Sequence, residues 1–196
     1  MKSAYRNFRF QTLVALAFLG LCAILGGFFP TTAKADETQG AKTMIIYYSW
    51  SGNTKSIANL IHQKVGGDIV ELELGNPYPS DYNACTAQAK KDQQDGARPE
   101  LKTQIRNLDR YDVIYLGYPN WWSSVPMPIA TLLESYNFSG KTIIPFCSHG
   151  GGGLGRSVRD IAAYAPEATV KEALSVYGGG KSSLSEDIDE WLSKNK

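Results

Sequence analysis

The chain has 196 residues, of which 43% are hydrophobic and 20% are charged, a composition that suits one globular domain with a full-sized core. Basic and acidic residues nearly balance, and without the leader described below the formal net charge falls from +1 to −3, since sixteen basic residues then face nineteen acidic ones. Such a balance disfavours a nucleic-acid-binding protein, and two His without paired Cys or His spacing give no support for a structural metal site.

The first 35 residues have the pattern of a signal peptide. Lys2, Arg6 and Arg9 form a basic front, Leu13–Phe29 is apolar, and Ala33–Ala35 offers a small-residue cleavage site. A membrane anchor is the alternative, because an apolar stretch of this length could marginally span a bilayer. The expected organisation is a signal peptide over 1–35, a polar linker over 36–42 and a domain over 43–196, secreted or in the cell envelope, with no membrane span after cleavage.

From the linker onwards strand and helix patterns alternate, which predicts a parallel sheet. The predicted strands cover Thr43–Tyr48, Ile69–Leu72, Val113–Leu116, Thr142–Phe146 and Thr169–Val176. The predicted helices cover Thr54–Val65, Asn83–Gln94, Pro128–Tyr136, Gly155–Tyr164 and Leu184–Lys194, and Ser183 with Glu186 resembles a capping box for the last. Five strands with intervening helices suit a doubly wound sheet, in which ligands bind at the carboxyl ends of the strands.

The junction of the first strand and first helix indicates a phosphate site. Its sequence, TMIIYYSWSGNT, leaves backbone N–H groups unpaired at the start of a helix, where the helix dipole favours an anion. Ser49, Ser51 and Thr54 add hydroxyl donors, and Gly52 permits a close backbone approach. The alternative is an ordinary helix cap, which also uses Ser, Asn and Thr. The junction lacks the motifs of nucleoside triphosphate and dinucleotide loops.

Three segments together resemble a known family. SWSGNT at Ser49–Thr54 resembles the [ST]-x-[ST]-G-x-T loop that holds the FMN phosphate in flavodoxins, and every position of that pattern is filled. GYPNWWSSVPMP at Gly117–Pro128 and FCSHGGGGLG at Phe146–Gly155 are spaced like the second and third ligand loops, and P-x-W-W is similar to one branch of the family. The resemblance covers about residues 43–194. It implies a flavodoxin-like three-layer α/β sandwich, with a five-stranded parallel sheet of order 2-1-3-4-5 and helices on both faces.

The same resemblance implies FMN as cofactor, no catalytic side chain and no metal. The implied FMN-binding residues are Ser49, Trp50, Ser51, Gly52, Asn53, Thr54, Pro119, Asn120, Trp121, Trp122, Ser148, His149, Gly150 and Gly151. Trp121 and Trp122 supply flat apolar area for an isoalloxazine ring, although structural tryptophans are the alternative. Trp50 either covers the ring or packs on the first helix. His149, where the family commonly has a small polar residue, either bonds the flavin or is solvated.

The expected function is an exported FMN-binding protein that transfers electrons to or from a redox partner protein or a small-molecule acceptor. One alternative is an FMN-dependent NAD(P)H oxidoreductase of the quinone or nitroreductase type. The other is a secreted binding protein without flavin. The sequence does not fit a phosphatase, a lipase or a response regulator, because their motifs are missing. Cys85 and Cys147 are expected to be buried thiols, and the alternative is a disulfide, which an oxidising compartment permits.

Overall fold

A computed structural model describes residues 41–196, so the predicted signal peptide and residues 36–40 of the linker lie outside the described residues. Its strands are β1 (Thr43–Tyr47), β2 (Asp68–Glu71), β3 (Val113–Pro119), β4 (Thr142–His149), β5 (Thr169–Val170) and β6 (Leu174–Tyr177). Its α-helices are α1 (Asn53–Val65), α2 (Tyr82–Asp95), α3 (Met127–Ser135), α4 (Ser157–Tyr164) and α5 (Leu184–Lys194).

All strand pairs in the sheet are parallel, and the order is β2-β1-β3-β4-β5, with β6 also paired to β4. β1 lies between β2 and β3, and its Ile45 is opposite Ile69 on one side and Tyr115 on the other. The predicted strand order is therefore confirmed. The chain places β2 on one side of β1 and the later strands, starting with β3, on the other side. The ligand-binding switch point therefore lies at the carboxyl ends of β1 and β3.

The last predicted strand, Thr169–Val176, is wrong as a single element. It is divided into β5 and β6, which both pair with β4, so the described residues contain six strands in five positions. The interruption has a local cause, because the carbonyl oxygen of Glu172 is directed to α5. It accepts Trp191 Nε1–H at 2.8 Å and Asn195 Nδ2–H at 3.3 Å, and so it is not available to the sheet.

The two central strands run further than predicted. β3 continues to Pro119 and β4 to His149, because their ladder persists with Tyr118 opposite Cys147 and Pro119 opposite Ser148. The first residues of the predicted third loop, 147–149, are therefore strand. Their side chains are held by the sheet, which gives the ligand end of β4 a fixed geometry.

The predicted capping box of α5 is also wrong. Ser183 precedes the helix, but its side chain makes no capping bond to the backbone. Its Oγ instead lies 3.2 Å from Asp187 Oδ2, one turn into the helix. The acidic residues Glu186 and Asp187 still favour this helix end, since negative charge in a first turn complements the helix dipole.

Helices cover both faces of the sheet, so the three-layer arrangement is confirmed. Alternate residues of β1 point to opposite faces, with Ile45 in the core under α1 and α5 and Ile46 in the core under α2, α3 and α4. Cys85 and Cys147 are free, buried thiols, as expected. Among residues 41–196 no helix has the length and apolar character needed to cross a membrane.

Candidate binding cleft at the carboxyl end of the sheet

A cleft of about 670 Å³ lies at the carboxyl ends of β1, β3 and β4, and one side of it is formed by α2. Its volume falls in the range of small-molecule and cofactor sites. It is lined by Trp50, Ser51, Asn53, Tyr82, Cys85, Thr86, Ala89, Pro119, Asn120, Trp121, Trp122, Ser148, His149, Gly150 and Gly178. All three predicted loops therefore contribute to a single cavity.

Four of the residues assigned to the site from sequence lie behind the lining. Ser49 Oγ accepts the Lys55 backbone N–H at 3.2 Å, and Gly52 has the positive φ of 88° that turns the chain into α1. Thr54 is buried, and its Oγ1 lies 2.8 Å from Ser148 Oγ. The Gly151 backbone N–H donates to His149 Nδ1 at 3.0 Å. These residues shape the cleft by holding those that line it.

The start of α1 presents a row of unpaired donors. The Lys55 N–H donates to Ser49 Oγ and the Ser56 N–H to the Gly52 carbonyl, but within the described chain the N–H groups of residues 50–54 make no hydrogen bond. A helix leaves four such donors at its start, and the helix dipole adds positive potential there. Five consecutive free donors beside an open cleft suit an anion with several oxygens.

Trp50 belongs to the wall of the cleft. Its Nε1–H donates to the Pro79 carbonyl at 2.9 Å, and its ring lies 6.3 Å from that of Tyr82, centroid to centroid. It packs on the core cluster beneath α3 and α4, whereas the buried residues of α1 belong to the other cluster. Trp50 therefore does not pack on the first helix, which was one of the two alternatives for this residue.

Both tryptophans of the second loop are placed by a tight turn. The backbones of Trp121 and Ser124 exchange hydrogen bonds of 3.0 and 3.1 Å, and the two residues between them, Trp122 and Ser123, have φ of 51° and 62°. Two consecutive positive φ values define a type I′ turn, which usually contains Gly or Asn. The Arg156 N–H donates to the Ser123 carbonyl at 2.8 Å, so the third loop holds the strained turn in place.

The turn directs the two indoles differently. Trp121 is half-buried, and its ring packs edge-on against Tyr48 at 5.6 Å and Tyr78 at 4.9 Å. Trp122 is exposed, and its Nε1–H donates to the Thr86 carbonyl of α2 at 3.0 Å. One tryptophan thus forms the floor of the cleft and the other its rim.

The third loop is joined to the second through Asn120. Its backbone N–H donates to the Ser148 carbonyl at 2.8 Å, and its Nδ2 donates to the Gly153 carbonyl at 2.6 Å. Its Oδ1 is buried and has no hydrogen-bond partner among residues 41–196. Asn120 is therefore both a tie between the loops and an acceptor available to a ligand N–H.

Five lining residues were not predicted from the sequence, and four of these lie on α2. Tyr82, Cys85, Thr86 and Ala89 have the i, i+3, i+4, i+7 spacing of one helix face. That spacing is present in the sequence, but most residues of the helix are polar, so the four residues were not predicted to form one face of a cleft. The fifth, Gly178, follows β6, and its N–H donates to the His149 carbonyl at 2.8 Å.

The walls of the cleft are electrically neutral. None of the fifteen lining residues carries a carboxylate, an ammonium or a guanidinium. Burial raises the pKa of the Cys85 thiol and raises that of Cys147, behind the cleft, to about 12, so both are protonated at neutral pH. Nearby Lys55 is paired with Glu71 at 2.6 Å. An anion here would be held by backbone N–H groups.

Comparisons with known proteins agree with this architecture. A family model described as Flavodoxin matches residues 42–195. A candidate flavoprotein from Bacteroides eggerthii is 30% identical over 79% of this chain and 97% of its own, with a TM-score of 0.70. One from Bacteroides uniformis is 28% identical, over 80% of this chain and 100% of its own, with a TM-score of 0.71.

A third solved structure, a flavoprotein from Lactobacillus acidophilus in complex with FMN, is 24% identical over 78% of this chain and 99% of its own, with a TM-score of 0.64. Its likeness concerns the fold. No curated protein matches the sequence. Because the family model spans most of the chain and the strand order and loops agree with it, this protein belongs to the flavodoxin family.

Proposed function

We propose that this protein binds one FMN noncovalently in the cleft and acts as an exported electron-transfer protein, with a redox partner protein or a small molecule at the other end of the transfer. The observation that carries the proposal is the row of free N–H groups at residues 50–54, which opens onto a neutral, aromatic cleft. Membership of the flavodoxin family supports it, and so does the FMN found in the Lactobacillus acidophilus flavoprotein.

The residues present fit such a cofactor. The N–H groups of residues 50–54 and the Ser51 hydroxyl would hold the phosphate, and the floor formed by Trp121 would pack against the ring. The free Oδ1 of Asn120 would accept a ring N–H. Bound FMN supplies the redox chemistry, and the protein contributes orientation and electrostatics.

Thr54 would act through Ser148. Their two hydroxyl oxygens are 2.8 Å apart, and in this hydrogen bond one hydroxyl donates its proton and the other accepts it. If Thr54 donates, the Ser148 hydroxyl keeps its own proton for a group in the cleft, which Ser148 lines and Thr54 does not. The pair would thereby present one oriented O–H donor.

The test is the flavin content and flavin affinity of the purified protein. We expect yellow protein with a flavin absorbance spectrum. FMN should bind at least about tenfold more tightly than riboflavin, since each hydrogen bond to the charged phosphate contributes about 1.5–3 kcal/mol. The proposal would be contradicted if the protein were purified without flavin and bound no added FMN. It would also be contradicted if FMN and riboflavin bound with equal affinity.

An FMN-dependent NAD(P)H oxidoreductase of the quinone or nitroreductase type is the second candidate. The observation that favours it is the α2 face, which is not part of the three predicted ligand loops in the sequence but lines the same cavity, where a second substrate could bind beside the cofactor. Oxidation of a nicotinamide cofactor in the presence of a quinone acceptor would favour the enzyme. If the protein exchanged electrons with other redox proteins but not with nicotinamides, this result would favour an electron-transfer protein.

Export is proposed from the basic, apolar and small-residue order of the first 35 residues. Mass spectrometry of the protein from the extracytoplasmic fraction should give a chain that begins at Asp36. A membrane-bound chain that keeps residues 1–35 would instead support an anchor. The flavin content of the exported form tests whether FMN is present outside the cytoplasm.

A further inference from the structure

Helix α2 presents its small apolar face to the cleft. Its two buried residues, Cys85 and Ala89, both line the cavity, together with Thr86 and Tyr82 on the same face. A helix in a three-layer fold normally buries this face against the sheet. Here Cys85 and Ala89 belong to the core cluster on this side of the sheet and also border the cavity, so that α2 forms one wall of it.

The wall is held at a defined distance from the tryptophan turn. Trp122 Nε1–H donates to the Thr86 carbonyl at 3.0 Å, and Gln93 Nε2–H donates to the Trp121 carbonyl at 3.3 Å. At the far end of the helix, Tyr78 donates its hydroxyl to Asp92 at 2.8 Å. These contacts along the helix make the wall part of the built site.

Exposed aromatic side chains are concentrated at the mouth of this cavity. Within the described residues the large hydrophobic side chains that are exposed are Tyr82 at 66%, Trp122 at 46% and Tyr177 at 64%. Tyr82 and Trp122 line the cleft, and the Tyr177 ring is 5.9 Å from that of His149, which also lines it. Clustered exposed aromatic surface marks a binding site, whereas single exposed residues do not.

The charges around the wall select an uncharged ligand. Tyr82, Cys85, Thr86, Ala89 and Trp122 carry no charge, and the free N–H groups that suit an anion lie at residues 50–54, so a ligand charge placed against α2 would lose its hydration without gaining those donors. At the rim, Lys90 Nζ lies 4.9 Å from the centroid of the Trp122 ring, where an ammonium can donate to a carbonyl oxygen. A planar aromatic molecule with ring carbonyls fits both features.

We propose that the α2 face and Trp122 form a second subsite that binds an uncharged, planar aromatic molecule of the quinone class beside the FMN. The inference rests on the proposed function, because the molecule would exchange electrons with the cofactor. Conversion of a quinone to its hydroquinone takes up two electrons and two protons, which two-electron-reduced FMN would supply in returning to its oxidised form.

Direct binding tests the subsite without turnover. Menadione, an uncharged naphthoquinone, and 1,4-naphthoquinone-2-sulfonate, a planar anion, are titrated into the FMN-loaded protein and followed by equilibrium dialysis and tryptophan fluorescence. We expect menadione to bind at least about tenfold more tightly, because burial of the sulfonate is unfavourable. Equal affinities, or release of FMN as menadione binds, would overturn the proposal, since release means that both occupy one place.

Two matched substitutions locate the site on α2. Ala89→Leu fills the wall, whereas Ala87→Leu makes the same change at an exposed position of the same helix. Menadione should bind at least about tenfold more weakly to the Ala89→Leu protein and unchanged to the Ala87→Leu protein. Equal affinity in both variants would overturn the assignment.

A second variant keeps the proposal testable if Ala89→Leu does not fold. Tyr82→Ala removes a ring that is mostly exposed, and it should weaken menadione binding about fivefold. Unchanged binding in a folded Tyr82→Ala protein would count against the subsite. If the protein holds no FMN, the proposed function fails, and the same titrations of the flavin-free protein still decide whether α2 binds the aromatic molecule.

Discussion

At the scale of single residues, the three hydroxyls of the first loop have three different roles. Ser49 Oγ accepts the Lys55 N–H and so completes the start of α1. Thr54 is buried against Ser148. Ser51 is exposed and lines the cleft, so its hydroxyl is free to meet a ligand. Of the three hydroxyl residues, Ser49 therefore caps α1, Thr54 supports Ser148 from within the core, and Ser51 is the one placed to contact a ligand.

Ser51→Ala is expected to weaken FMN binding by about 1.5–3 kcal/mol, the contribution of one hydrogen bond to a charged group. The unfolding free energy of the flavin-free protein should stay the same, because the Ser51 side chain makes no internal hydrogen bond among the described residues. Fluorescence titration with FMN measures the effect. Ser185→Ala, at an exposed position of α5 away from the cleft, serves as the control, and equal affinities in the two variants would contradict the assignment.

Thr54→Val should lower the unfolding free energy of the flavin-free protein by about 1–3 kcal/mol, because it leaves the buried Ser148 hydroxyl without this partner. Denaturant unfolding measures the change. Thr169→Val, at an exposed position of β5, makes the same chemical change without burial and should have little effect. A loss of the same size in both would mean that the buried pair contributes nothing.

At the scale of elements, the cleft depends on how far β3 and β4 extend. Both strands end in residues that line the cleft, Pro119 on β3 and Ser148 with His149 on β4. Their packing requires Gly117 in β3, because an added Cβ would lie 2.2 Å from Phe146 Cζ and 2.8 Å from Tyr47 Cβ. The glycine lets the Phe146 ring lie across β3, just before the second loop begins.

Gly117→Ala is expected to reduce the unfolding free energy by about 3 kcal/mol, since the methyl group cannot enter this part of the core without displacing Phe146. Gly75→Ala is the control, because a Cβ there would meet the end of the flexible Glu100 side chain at 3.3 Å. Denaturant unfolding should show a shift of less than about 1 kcal/mol for the control. Similar stability of the two variants would contradict the packing argument.

At the scale of the whole molecule, the core contains several tyrosines whose hydroxyls are kept from water. Burial raises the pKa of Tyr48, Tyr78 and Tyr118 well above the ordinary value of 10. The hydroxyl of Tyr118 lies 2.9 Å from Ser157 Oγ, and that of Tyr78 donates to Asp92. These phenols stabilise the fold while they remain protonated.

Stability should consequently fall as the pH rises above 10. Below that pH the phenols are protonated in both the folded and the unfolded chain, and above it the unfolded chain loses protons that the folded chain retains. Each such tyrosine then lowers the unfolding free energy by about 1.4 kcal/mol per pH unit until its own folded pKa is reached. Denaturant unfolding between pH 8 and 11 measures the slope. Tyr78→Phe should make the slope shallower, and a flat profile in the parent protein would contradict the expectation.

Much of this molecule was predictable because its signals are local. Apolar runs define β1 to β4, and helix periodicity with Gly and Pro punctuation places the helices to within a few residues. The loops after β1, β3 and β4 were found from short motifs, and the strand order follows from the family that those motifs resemble. Ten of the lining residues of the cleft were named in this way.

The sequence by itself thus determined the fold class and the three loops that meet at the switch point, since these depend on residues close together in the chain, and the family that the loops resemble supplied the strand order. The tertiary structure decided the rest. Thr54 meets Ser148 across 94 positions, and Trp122 meets Thr86 across 36. No periodicity within one segment encodes such pairs, because the partners are brought together only when separate elements pack. For the same reason, the role of α2 as a wall of the cleft was not visible in its polar sequence.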